Sequence, residues 1–348
     1  MSTGYETELE NTRPDGEITD EASFEAGERA REYVANLPLF IVNPIAGSGH
    51  CKERFEEACA VLKVRGVSFR TKYTESAGHA SKLAQDAVLE GAKYIVAVGG
   101  DGTVREVASA ICCNTGVRFG ILPFGTGNDL ASALRIPTDP VEAAELILKG
   151  EVLPTDLGSA NGRIFTNICG LGFDVEVLRN TEKHKKGRSG MLPYFLGIID
   201  SLLHRKKLHT YISVDGAEET EIDALLIAVC NGISFGGGMK VAPEAKQDDG
   251  LFDICIAKWV GFFRLIALLP TFIKGKHLGK KPIIYMRGKE ITIRTDGRFT
   301  VELDGELIEK TPLECRIVAG TIDIVRPREE TETAEETAPA EEKAEVTE

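Results

Sequence analysis

Residues 94–105 read YIVAVGGDGTVR, and the fold is decided here. Five residues without a polar interruption, Tyr94–Val98, stop at Gly99 and Gly100. A strand of a parallel sheet, covered by helices on both faces, reads as such a continuous run. From Val104 to Cys113 the apolar residues recur at helical spacing, so the unit is strand, glycine turn, helix. The unit repeats on either side. LPLFIVN (Leu37–Asn43) runs into PIAGSGH and a helical pattern over Cys51–Arg65. Phe119–Leu122 runs into PFGTGND, with helical segments at Asn128–Leu134 and Pro140–Gly150. Val67–Tyr73 and His79–Glu90 add one more strand and helix. This alternation predicts an N-terminal three-layer α/β nucleotide-binding domain with a parallel sheet, over residues 37–150.

After Glu151 the pattern changes. Short, turn-bounded apolar runs appear at Ile164–Cys169, Tyr211–Val214, Leu225–Cys230, Leu251–Ile256, Ile283–Met286, Ile291–Thr295 and Thr300–Leu303. One helical stretch, Tyr194–Leu203, interrupts them. Residues 151–327 therefore read as a mostly antiparallel β-sandwich domain, with a cleft between the two domains. The last strand, Thr321–Val325, fits either domain.

The chain has 348 residues and a net charge of −13, but that charge is confined to its ends. Residues 1–36 hold ten acids against three bases, and residues 326–348 hold nine against three. The body between them is neutral, with 35 of each. Residues 1–36 and 328–348 read as disordered acidic tails. Within the neutral body, Lys183–His209 carries seven Lys/Arg and one acid, and Lys258–Lys289 carries eight and none. The second stretch includes WVGFFRLIALLPTFIKGKHLGKK, where large apolar residues stand among cations. A core helix with a solvated face explains either island alone. The two together suit an anionic membrane surface, touched reversibly. No apolar run reaches the ~18 residues of a membrane span, and residues 1–36 show no secretory pattern. The eight cysteines form no C-x-x-C pair, which points to a reducing compartment. The expected place is cytoplasmic, peripheral at the inner membrane surface. Nucleic acid is not an expected partner, and a homodimer is left open.

NPIAGSG (43–49), GGDGT (99–103) and PFGTGND (123–129) follow three strands of one parallel sheet. The carboxyl ends of such strands line the ligand crevice. Glycine lets backbone approach a phosphate, and the next helix N-terminus favours its charge. Three such turns predict a nucleotide or polyphosphate site. Neither G-x-x-x-x-G-K-[ST] nor a G-x-G-x-x-G opening a helix after the first strand is present, which argues against P-loop and Rossmann readings.

NPIAGSG, VGGDGTVREV (98–107) and LPFGTGNDLA (122–131) resemble the signatures of the diacylglycerol kinase catalytic domain family. That family takes in diacylglycerol, sphingosine and ceramide kinases and soluble bacterial lipid kinases. VCNGISFGGGMKVAPEAKQDDGLFDI (229–254) resembles its Gly-Gly-Gly-x-x-x-x-Pro-x-Ala-x-x-x-Asp-Gly segment, and LDGE (303–306) its late catalytic motif. The resemblance runs from about Leu37 to Pro327.

It implies that Asn43, Pro44, Ile45, Ala46, Gly47, Thr74, Gly99, Gly100, Asp101, Gly102, Thr103, Val104, Arg105 and Thr126 hold ATP. It implies that Asp101, Asp129, Asp156 and Asp304 form an acidic network around Mg²⁺. Asp129 serves equally as a helix cap, and Asp156 as a turn residue. Asp304 is the implied general base, taking a proton from a lipid hydroxyl, with Asp101 beside it. Glu306 is the rival base, and on a strand it would share the face of Asp304. A structural Mg²⁺ is implied at Asp249 with the carbonyls of Lys246 and Leu251; adjacent Asp248 leaves the register open, and a simple β-turn at Asp249-Gly250 is the alternative. The resulting expectation is an ATP- and Mg²⁺-dependent lipid kinase, with diacylglycerol to phosphatidic acid as its reaction. The alternatives are a phosphotransferase resembling NAD kinase, acting on a soluble nucleotide, and a non-catalytic membrane-surface module.

Overall fold

The computed structural model describes residues 20–184, 192–234, 238–297, 299–309 and 312–328. The tail expectations for residues 1–19 and 329–348, and the cations Lys185, Lys186 and Arg188, lie outside the described residues.

The first half runs α1 (Asp20–Asn36), β1 (Leu39–Val42), α2 (Cys51–Val64), β2 (Arg70–Tyr73), α3 (His79–Leu89), β3 (Tyr94–Gly99), α4 (Asp101–Ile111), β4 (Arg118–Pro123), α5 (Asp129–Ala133) and α6 (Pro140–Lys149). The four strands pair parallel, β2 to β1, β1 to β3 and β3 to β4. Alternate residues face opposite layers, as the pleat requires. Ile41, Ile95 and Ile121 pack with α3 and α4; Phe40, Val96 and Leu122 pack with Phe55 of α2 and Ile147 of α6. Both faces of β1, β3 and β4 are dry, which is why these three read as apolar runs; β2, RTKY at the sheet edge, is only partly buried.

The second half runs β5 (Glu151–Ala160), β6 (Arg163–Phe165), β7 (Ile168–Gly172), α7 (Phe173–His184), α8 (Leu192–Leu203), β8 (Leu208–Val214), β9 (Thr220–Cys230), β10 (Phe252–Lys258), α9 (Phe262–Ile273), β11 (Ile283–Gly288), β12 (Glu290–Thr295), β13 (Thr300–Leu303), β14 (Glu306–Glu309) and β15 (Leu313–Arg326). Its own strand pairs are antiparallel. The long ribbon of β5 and β15 joins the halves. The far end of β15 lies parallel to β4, Ile324 opposite Phe119, while its near end pairs with β12.

Three expectations change. Residues 20–36, read as part of an unstructured acidic tail, form α1. Its Ala, Glu and Arg residues over 28–32 are strong helix formers, and Lys93 N donates to Ala35 O at 2.8 Å, tying the helix end to the sheet. The run Ile164–Cys169 is not one strand. It breaks into β6 and β7 because the amides of Thr166 and Asn167 turn towards Asp304. Asp304 and Gly305 form a two-residue turn, both at positive φ, with Leu303 opposite Glu306. Asp304 and Glu306 therefore do not share a strand face; Asp-Gly favours such a hairpin turn.

The three glycine turns interlock. A Cβ on Gly47 would lie 2.3 Å from Phe124 O, and one on Gly125 would lie 2.2 Å from Gly100 Cα. A Cβ on Gly127 would lie 2.6 Å from Asp101 Oδ2. Asn43 Nδ2 donates to Thr103 Oγ1 at 3.1 Å, binding the first turn to the second.

Two predictions follow from this geometry. Gly125→Ala forces backbone apart and should cost about 1–3 kcal/mol, read as a lower urea midpoint with unchanged slope; a wild-type midpoint would mean that the turns give way freely. Ile324→Ala removes a fully buried side chain from the shared strand and should cost about 2–5 kcal/mol. Near- and far-ultraviolet probes should lose both halves in one transition. Two separated transitions would show that the ribbon does not couple them.

Candidate active site

Two cavities meet the turns. The first, about 260 Å³, is lined by Asn43, Pro44 and Ile45 of the first turn, Thr74, Ser76, and Gly102 and Thr103 of α4. The second, about 160 Å³, lies between the halves, with Asp101 and Asp129 on one side and Thr166, Asp174, Tyr194, Glu302 and Asp304 on the other. The structure thus brings Asp101, Asp129 and Asp304 together, as expected of the acidic network. Among the residues assigned to ATP, Val104 is buried in the core under α3 and α4 and Ala46 packs on the separate core under α2 and α6, so these two offer backbone only. Thr126 is exposed on its turn.

Asp101 accepts from Asn128 N at 2.7 Å and Asp129 N at 2.6 Å, so it holds the N-terminus of α5. Burial pushes its carboxyl above the usual range, while these amides pull it back. Asp304 has all four of its acceptor positions engaged. Oδ2 accepts from Thr166 N at 2.6 Å and Thr166 Oγ1 at 2.9 Å; Oδ1 accepts from Asn167 N and Ile168 N, each at 3.0 Å. Burial raises its pKa against those four bonds. These four bonds staple the β6–β7 turn to the Asp304 hairpin. Glu306 is exposed and engages one oxygen, Oε1, with Arg105 across the mouth of the cleft. The two carboxylates that could serve as the base thus differ in surroundings: Asp304 is enclosed by donors, and Glu306 contacts Arg105.

Asp156 is not in the cleft, contrary to the expected network. It is 2% exposed, and its two oxygens accept from Gly250 N at 2.7 Å and Gly320 N at 2.6 Å. It pins the 246–251 loop to β15. In that loop Asp249 Oδ1 accepts from Leu251 N at 3.1 Å, Oδ2 pairs with Arg287, and Gly250 is at φ +70°. Asp248 pairs with Arg326 at 2.9 Å. Both candidate carboxylates are matched by guanidinium groups, so the loop is a turn held by arginines. The implied structural Mg²⁺ at Lys246, Asp249 and Leu251 would share Asp249 with Arg287.

Two carboxylates of the cleft carry no motif signal. Asp174 lies in the first turn of α7 and Glu302 next to the last residue of β13; they are 4% and 6% exposed. Each keeps one oxygen, Asp174 Oδ2 and Glu302 Oε2, buried without a partner. Both oxygens face Gly170, where a Cβ would lie 1.6 Å and 3.2 Å from them. Burial pushes Asp174 up to about 7. Glu302 rises well above the usual range through burial and then the nearby Asp174 charge. Unpaired carboxylate oxygens converging on one cavity are the donor set of a hard divalent cation. Among the described residues no three such side chains are gathered closely enough to hold a metal ion; Asp174 and Glu302 are the two cleft carboxylates whose open oxygens would receive Mg²⁺.

Residues 38–160 match the family model described as the diacylglycerol kinase catalytic domain. Residues 167–326 match that of the YegS C-terminal NAD kinase beta sandwich-like domain. A diacylglycerol kinase of Bacillus subtilis strain 168 is 30% identical over 295 residues, covering 84% of this chain and 97% of that protein. One from Mycobacterium tuberculosis strain H37Rv is 30% identical over 309 residues, covering 87% and 99%. A crystal structure from Bacillus anthracis strain Sterne, provisionally assigned as a diacylglycerol kinase, gives a TM-score of 0.71 at 30% identity over 84% of this chain and 97% of that one. Identity at this level along nearly the whole of each relative, on the same fold, makes the chain a kinase of the diacylglycerol kinase catalytic domain family.

Proposed function

We propose that this kinase transfers the γ-phosphoryl group of ATP to a lipid hydroxyl, with diacylglycerol as acceptor and phosphatidic acid as product. One observation carries the lipid half of the reading. A pocket walled by Phe173, Leu225, Leu226, Val260, Leu265 and Phe272 adjoins the acidic cleft and shares Asp174, Val177 and Tyr194 with it. An acyl chain in the apolar pocket places its polar end among the carboxylates. A soluble nucleotide acceptor has no use for such a wall, which disfavours an NAD kinase activity. The names of the relatives at 30% identity agree with diacylglycerol.

Nucleotide phosphates lie against the interlocked turns, where the amides that open α4 and the Thr103 hydroxyl are donors. The acceptor hydroxyl attacks the γ-phosphorus. Its oxygen–phosphorus bond forms as the bond to the β-phosphate oxygen breaks, ADP leaves, and the hydroxyl proton passes to Glu306. Mg²⁺ in the cleft would neutralise phosphate charge. Arg105 fixes the Glu306 carboxylate at the cleft mouth. A bilayer-borne acceptor makes the enzyme peripheral, working reversibly at the cytoplasmic membrane surface.

Incubation with radiolabelled ATP, Mg²⁺ and a panel of lipids in mixed micelles tests the substrate. Diacylglycerol should be labelled; label in NAD, or in no lipid, would overturn the reading. Glu306→Gln should lower kcat by ~10²–10⁴ with the melting temperature and the KM for ATP retained. Asp304→Asn should lower the melting temperature, since an amide cannot satisfy four donors. A stable Asp304→Asn variant without activity, beside an active Glu306→Gln, would return the base role to Asp304.

A further inference from the structure

Helix α9 is apolar on both sides. Leu265, Leu268, Leu269 and Phe272 face inward and wall the acyl pocket. Phe263, Ile266 and Ile273 face outward, Phe263 with 86% of its surface in solvent. A helix apolar all round is ordinarily buried. Helix α8 repeats the feature. Pro193, Gly197 and Ser201 are buried, and a Cβ on Gly197 would lie 2.5 Å from Thr181 Oγ1, so that face is pressed on α7. Leu192, Phe195, Ile199 and Leu203 form an exposed stripe on the other face, Phe195 at 61%. The helices adjoin: Leu202 packs with Val260 and Leu265, and Arg205 lies over the rings of Trp259 and Phe262. Seven large apolar side chains thus stand exposed on two neighbouring helices.

Charge selects the occupant. No acid occurs from Lys258 to Lys289, and Arg264, Lys274 and Lys276 stand on α9 or just past its end. The one acid of α8, Asp200, is matched by His204 at 2.8 Å. Apolar stripes rimmed by cations fit an anionic lipid surface. Behind α9 the pocket leaves only about 30 Å³ open, room for about one water, so an acyl chain enters only if α9 moves. Gly261 caps its start, Gly275 follows its end at φ +65°, and Pro270 lies inside.

We propose that the exposed α8–α9 face inserts into an anionic bilayer and that the lipid substrate passes from the bilayer past α9 into the pocket behind it. The proposal rests on the lipid kinase reading, and its test separates the two. Within the stretch read as membrane-facing, Leu265 and Leu268 point inward and Phe263 outward.

The double variant Phe195→Glu, Phe263→Glu alters exposed positions only. It is compared with the wild type by sedimentation with vesicles of phosphatidylcholine and phosphatidylglycerol, without ATP. Vesicle binding should weaken by at least about tenfold, and the KM for vesicle-borne diacylglycerol should rise while the KM for ATP holds. Phosphorylation of a short-chain, monomerically dissolved diacylglycerol should proceed in both proteins. Equal sedimentation of the two proteins overturns the proposal. So does equal binding of the wild type to pure phosphatidylcholine, or a wild-type dimer by ultracentrifugation that the double variant abolishes while vesicle binding persists. Failure of both proteins on the soluble diacylglycerol overturns the lipid kinase reading instead, whatever the vesicles show.

Discussion

The structure depends on backbone meeting backbone where three turns cross. Gly125 lies so close to Gly100 that a single methyl group would sit 2.2 Å from the neighbouring Cα. Gly47 is pressed in the same way on Phe124 O. These contacts fix the carboxyl ends of β1, β3 and β4 relative to one another. They also bring Asp101 onto the amides of Asn128 and Asp129. A phosphate site made of amides is only as definite as the loops that carry them. Here the definition comes from contact between the loops, since a turn of five or seven residues has little packing of its own. The glycines thus serve twice, for loop packing and for exposing amides to an anion.

Opposite those turns the second half concentrates negative charge. Asp174, Glu302 and Asp304 are all pushed towards the protonated form by burial. Such crowding is costly in the free protein. It is relieved differently at each residue: Asp304 by four donors, Asp101 by a helix terminus, and Asp174 and Glu302 only in part. The incomplete relief leaves Asp174 Oδ2 and Glu302 Oε2 as the open acceptors of the cleft. The two acids of Asp-Gly-Glu differ in the same way: Asp304 accepts four hydrogen bonds, and Glu306 contacts Arg105 from an exposed position.

Much of the fold was legible. The run Tyr94–Val98 is β3 to within a residue, because a strand buried on both faces must be apolar throughout. The Gly-rich turns follow β1, β3 and β4 as read, and three of the acids the resemblance implied, Asp101, Asp129 and Asp304, line one cavity. What was not legible depends on distant partners. β5 carries Pro154, Asp156 and Gly158 and looks like a turn, yet it pairs along β15. Asp156 is understood only from Gly250 and Gly320, which lie 94 and 164 residues away. Asp174 resembles any acid at a helix start and Glu302 any polar residue in a strand. Their meaning comes from the glycine, Gly170, that lets them approach each other. The acid-rich composition of residues 20–36 resembled a solvated tail, whereas helix propensity and one bond to the sheet suffice to order it.

Helix α9 shows how stability and function draw on one element. Its inward face closes the second half through Leu265 and Leu268, so the helix contributes core. Its outward face contributes nothing to that core and leaves Phe263 in water. A chain selected only for folding would place polar residues there, at no loss of packing. Retaining apolar groups on a helix whose own stretch, 258–289, carries no acid is consistent with a surface that water covers only part of the time. The pocket behind α9 is nearly closed while that face is wet. Transferring the outward face into lipid would compensate for loosening the inward one. Docking and pocket opening would then be a single equilibrium, with the acceptor lipid on the side where the helix yields.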